Sequence, residues 1–135
     1  MENKNELTLF NGNGNRIYCS KIVEKEEEKK DLFNALETCD ALLNDCVGEE
    51  INIKDVYCEE REVTDEETGE IKKKYRTILF DVSGQTYATG SYGIFNIMKK
   101  LFAIYGFPTW ENGVKVKVAK RPIGKGKSTL TLTLV

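Results

Sequence analysis

The 135-residue chain contains no histidine, which removes the commonest general base near neutral pH and every Ser-His or Cys-His nucleophile pair. Its four cysteines, Cys19, Cys39, Cys46 and Cys58, form no Cys-x-x-Cys pair. They are expected to be reduced thiols packed as small hydrophobes rather than zinc ligands, so neither a metal nor a cofactor is expected. No stretch approaches the roughly 18 apolar residues of a membrane span. The polar, acidic start from Met1 to Phe10 has no apolar signal-peptide core either. A cytoplasmic protein without membrane association is the expectation. Acid is scarce in the second half, where only Asp81 and Glu111 occur. That leaves too few carboxylates to converge on a catalytic magnesium ion, and the chain is expected not to be an enzyme.

What is present suits one folded domain: 40% of the residues are hydrophobic and 31% charged, outside the range of disordered tails and membrane proteins. The net charge of −2 conceals a division. Residues 1–70 carry 8 Lys/Arg against 20 Asp/Glu, a net of −12, while residues 71–135 carry 12 against 2, a net of +10. A basic half of this kind attracts a polyanion.

The run Asn11-Gly12-Asn13-Gly14-Asn15 favours turns and positive φ, so residues 1–15 are expected to be a flexible arm. Residues 16–135 then form a single domain, with a strand and helix over 16–47 and a barrel over 48–135. Arg16 to Val23 is β-branched and aromatic, as a strand requires. Apolar residues from Leu32 to Cys46 recur at helical spacing, which predicts a helix over about 27–46, stopped by Gly48. Beyond Gly48 the pattern alternates. Strands are predicted at 51–63, 71–82, 86–89, 114–120 and 128–135, with a helix from near Ser91 to Gly106 after the third of them. Strand, strand, strand, helix, strand, strand is the element order of the OB-fold, a five-stranded, partly open barrel whose helix lies between strands three and four. Here an N-terminal strand and helix precede it.

Side chains alternate across a strand with period two. In Val114-Lys115-Val116-Lys117-Val118-Ala119-Lys120 the valines are expected on one face and a stripe of Lys115, Lys117 and Lys120 on the other. Lys72, Lys73, Lys74 and Arg76 bracket Tyr75 in the second barrel strand. Cations interleaved with an aromatic ring suit single-stranded nucleic acid, because ammonium groups follow phosphates while the ring stacks on bases. Tyr57, Tyr87, Tyr92 and Trp110 are further candidates for exposed rings. The turn bearing Lys120, Arg121, Lys125 and Lys127 lies between the last two strands, where OB-folds contact nucleic acid. Its Gly124-Lys125-Gly126-Lys127-Ser128-Thr129 resembles the end of a phosphate-binding loop. That motif needs a glycine where Arg121 stands and a helix where a strand follows.

The segments from Gly48 to Tyr57, Thr64 to Gly69, Gly84 to Thr89 and Phe102 to Trp110 resemble the small single-stranded-DNA-binding proteins of phages and conjugative plasmids of Gram-positive bacteria. The resemblance implies a non-enzymatic OB-fold that coats single-stranded DNA with little regard to sequence, with cooperative contacts between copies. Cellular proteins of this kind usually end in an acidic tail, whereas here the acid lies in the first half. The N-terminal region is therefore expected to join copies into an oligomer on DNA. The same surface is compatible with RNA, and with duplex DNA more weakly. A module joining protein components of a larger assembly is the reading from another class.

Overall fold

A computed structural model describes residues 16–135 together with the backbone of Glu6–Leu7. The elements are β1 (Glu6–Leu7), β2 (Arg16–Cys19), α1 (Glu26–Glu37), β3 (Ala41–Leu42), a 3₁₀ turn (Leu43–Cys46), β4 (Glu50–Thr64), β5 (Ile71–Asp81), β6 (Thr86–Thr89), α2 (Tyr92–Tyr105), β7 (Val114–Gly124) and β8 (Lys127–Leu134). Apart from β1, the proposed arm lies outside the described residues.

The fifteen-residue β4 organises the sheet. Along one edge it pairs with β5 from Ile53 to Thr64. Along the other it pairs first with β7, through Glu50 to Ile53, and then with β2, through Tyr57 to Glu60. An irregularity between Ile53 and Asp55 separates the two stretches and shifts the register, as a β-bulge does when it bends a strand. The result is a mainly β protein with two helices and a sheet curled into a half-barrel that fits an OB-like fold. Among the described residues eight strands form it rather than the six expected. Among the described residues, β6 takes β3 as its parallel neighbour and β8 pairs only with β7, so the curl does not close.

The inner face holds the main core. Val114, Val116 and Val118 alternate into it from β7, and Leu130 and Leu132 from β8. Ile94, Met98 and Leu101 descend onto it at helical spacing from α2. Ser91 caps that helix by accepting the Ile94 amide at 3.3 Å, and Gly106 ends it at φ +82°. Gly93 permits its close seat on β8, because a Cβ there would meet the Leu130 carbonyl oxygen at 3.1 Å. A smaller cluster lies on the outer face, where Leu32, Ala35, Leu36 and Cys39 of α1 and its C-terminal end pack on Tyr57, Ile78, Phe80 and Ala88.

The first helix stops about nine residues before the expected end. Leu42, Leu43 and Cys46 continue a helical spacing, but β6 recruits the chain instead: Asp40 donates its amide to the Thr86 hydroxyl at 3.0 Å, and its carboxylate accepts the Thr86 amide at 2.9 Å. Leu43 and Cys46 then enter the core from the 3₁₀ turn. The β7–β8 hairpin is also longer than expected. Its two turn residues, Lys125 and Gly126, both have positive φ (52° and 74°), the sign pattern of a type I′ turn matched to strand twist.

Met98 is 0% exposed at the centre of the inner core. Met98→Ala is expected to lower unfolding free energy by about 2–5 kcal/mol, since it removes buried methylenes and leaves a cavity. Urea denaturation of the two proteins measures the difference.

Candidate nucleic-acid interface

Register assigns each cation to a face. Lys72, Lys74 and Arg76 stand opposite Val63, Arg61 and Glu59, on the outer face with Ile78 and Phe80. Tyr75 stands opposite Glu60 on the inner face. Lys115 and Lys117, opposite Asn52 and Glu50, are on the outer face of β7. Lys120 is not part of their stripe: it stands opposite Leu130, on the side of Val118 and Leu132. The expected three-cation stripe is corrected to the pair Lys115 and Lys117, because residue 120 has the parity of the valines. Lys125 is at the turn and Lys127 faces Gly124 across it, both exposed.

The aromatic candidates divide sharply. Tyr75 and Tyr92 come together at the start of α2 with ring centroids 4.9 Å apart, and Tyr75 also meets Phe95 at 4.7 Å. Tyr92 is 55% exposed. The three rings form a stepped surface from solvent to core, and Lys99 holds its ammonium 5.2 Å from the Phe95 centroid, within cation–π range. Phe95 is half-buried and belongs to this step.

Tyr57 and Trp110 do not present exposed rings, and that expectation is corrected. Tyr57 is 8% exposed beneath α1, and its hydroxyl donates to Glu59 Oε1 at 2.7 Å. Burial and then the Glu59 contact push the phenol well above its ordinary pKa. Trp110 is also 8% exposed, with its indole N–H donating to the Gly106 carbonyl at 3.1 Å. Tyr87 is half-buried against the inner core, and its hydroxyl donates to Asp81 Oδ2 and Gln85 Oε1, each at 3.2 Å. Burial, followed by the neighbouring Asp81 charge, pushes it up to about 12. Burial raises the Asp81 carboxyl in turn, but donors outweigh it, led by the Ser83 hydroxyl and the Gln85 amide, and hold the group below its ordinary value.

A groove of about 890 Å³ runs between α2 and β8. Tyr92 and Arg121 line it, along with Asn96, Lys100, Thr129 and Thr131. It carries two of the expected residues and continues from the aromatic step. Asn96 and Lys100 were missed; the Lys99-Lys100 pair beside a run of helix-core residues was the available signal. A second groove of about 490 Å³ separates α2 from β2 and β4, with Tyr18, Phe102 and Phe107 on its walls. At its rim Arg16 donates to Glu60 Oε1 through Nε at 3.1 Å and Nη2 at 2.6 Å.

The expected residues therefore occupy two sides of the molecule. Tyr75, Tyr92 and Arg121 gather toward the α2 side, while Lys72, Lys74, Arg76, Lys115 and Lys117 lie on the outer face. No helix is long and apolar enough to cross a membrane among the described residues. A family model described as phage single-stranded DNA-binding protein matches residues 11–135. No curated protein and no solved structure matches the chain.

The thiols have contrasting surroundings. Burial pushes Cys58 up to about 12, and Cys19 is raised mainly by burial. Cys39 is the one cysteine that is not fully buried. Since the thiolate is the reactive form, Cys39 is expected to react first with a maleimide at pH 8 in the native protein, with Cys58 unmodified until unfolding. Peptide mass mapping over a labelling time course reads the order.

Proposed function

The chain belongs to the family of phage single-stranded-DNA-binding proteins, and from that premise we propose that it is a non-catalytic coat that binds single strands with little sequence preference during phage DNA processing. One observation carries the reading: Tyr92, the exposed ring of the Tyr92–Tyr75–Phe95 step, lines the same groove as Lys100 and Arg121. Stacking needs only the flat face that every base has, and it contributes about 1–3 kcal/mol per base without reading the base edge. Lys100 and Arg121 supply the charge that follows the phosphates. Lys72, Lys74, Lys115, Lys117, Lys125 and Lys127 widen the positive field and draw the strand in. Lys120, exposed on the opposite face of β7, adds charge near the turn.

Self-association along the strand belongs to the same reading. The acidic first half of one copy meets the basic second half of the next, and residues 1–15 are the segment whose removal tests it. Light scattering of the protein on long single-stranded DNA would show loss of cooperative assembly. Unchanged assembly would count against a role for the arm.

Tyr92→Ala is expected to weaken oligo-dT binding by about 5- to 100-fold, the equivalent of one stacked base, while Tyr92→Phe retains most of the affinity. Arg121→Gln is expected to reduce the slope of log affinity against log salt by about 0.7, the value for one phosphate contact on a single strand. Binding of oligo-dT, oligo-U and duplex at two salt concentrations tests the whole reading. Tight binding of oligo-dT that falls with salt and exceeds duplex binding supports it. Equal binding of oligo-U broadens the ligand to RNA, and no binding at low salt leaves the protein-joining module in its place.

A further inference from the structure

OB-folds bind strands across the face formed by their second and third strands. The corresponding outer face here, on β5 and β6, is covered. Ile78 (0% exposed), Phe80 (3%) and Ala88 lie under α1 together with Tyr57 from β4. Removing the helix would uncover two aromatic rings, Tyr57 and Phe80, on the face that also carries Lys72, Lys74 and Arg76. These are the components of a stacking surface bordered by cations.

The cover is lightly held. No residue of α1 is itself buried, Phe33 on the helix is exposed, and Leu32, Ala35, Leu36 and Cys39 are only half-buried against the sheet. The polar hold is two contacts, one from each side: Arg76 of the face donates from Nη2 to the Leu36 carbonyl at 3.0 Å, and Lys21 of the covering segment places its ammonium 5.0 Å from the Phe80 centroid. Both would gain a charge-assisted partner in a phosphate. From Glu24 to Glu37 the segment carries six acids against three lysines, so it lays negative charge where a nucleic acid would.

Its two ends are pinned. Ser20 is buried, accepts the Val56 amide at 2.9 Å and donates to Asp55 at 2.8 Å. At the other end Asp40 is tied to Thr86. Residues 21–39 can therefore swing out and return without disturbing the inner core, which draws nothing from α1.

We propose that the outer sheet face beneath α1 is a second nucleobase-stacking surface, built on Tyr57 and Phe80, and that residues 21–39 form a cover which the bound strand displaces. This rests on the single-strand reading above. The cover lowers apparent affinity by the fraction of molecules in which it is open, so loosening it tightens binding.

Hydrogen exchange of the full chain, with and without oligo-dT, reads the displacement directly. Amides of Glu26–Glu37 are expected to exchange faster in the complex, while those of β5 and β6 exchange more slowly. The neutral double variant Leu32→Ser/Leu36→Ser, checked for folding by its urea midpoint, is expected to bind oligo-dT about 3- to 10-fold more tightly, in line with a larger open fraction. Oligo-dT binding that leaves α1 amides unchanged or better protected overturns the cover and leaves the α2-side interface standing, and it does so even if the variant does not fold. A folded variant that binds no more tightly than wild type also overturns it. If no oligonucleotide binds at low salt, both the cover and the single-strand reading fall.

Discussion

The architecture depends on one strand serving three partners. β4 carries β5 along one edge from Ile53 to Thr64, and the bulge at Ile53–Asp55 lets β7 and β2 share the other. Asp55 stands at this bend with its carboxylate buried, accepting hydrogen bonds from the hydroxyls of Ser20 and Thr109. A buried carboxylate is costly unless such donors satisfy it. The three segments joined there lead to α1, to the barrel strand itself and to the loop after α2. A straight β4 could not send its two halves into different sheet neighbours, and neither the curl nor the groove beside α2 would form.

The tips of the two long hairpins carry opposite charge. The β4–β5 hairpin ends in the acidic loop Asp65 to Glu70, ordered by Asp65 accepting the Glu67 amide at 2.8 Å. The β7–β8 hairpin ends in a basic turn. Both extend past the buried core, so their charges remain hydrated and contribute little to stability. Their effect lies at longer range, in the direction from which a polyanion approaches and in the orientation it takes on arrival.

Much of this was legible in the sequence. Strict alternation in Val114–Val118 and Leu130–Leu134 fixed two strands, and Ser91 and Gly106 bounded α2 because capping chemistry is local. What required the folded chain was tertiary competition. Asp40 and Thr86 are 46 positions apart, and their bond ends a helix that the apolar spacing would have continued. Tyr57 lies in a strand of alternating pattern; nothing within that strand records that α1 will lie over it. The misplacement of Lys120 was different, a parity error visible at Ala119. Phe95 was hidden among helix-core residues, because only the arrival of Tyr75 from β5 turns it toward the interface.

The single tryptophan draws a further line through the molecule. Trp110 is enclosed by Phe102 and Tyr105 and bonded to the carbonyl that ends α2, away from Tyr92 and the groove beside β8. Its emission therefore reports the integrity of the core, while the tyrosines beside the groove respond to what lies against them. The protein carries two optical channels, one for whether it is folded and one for whether it is occupied.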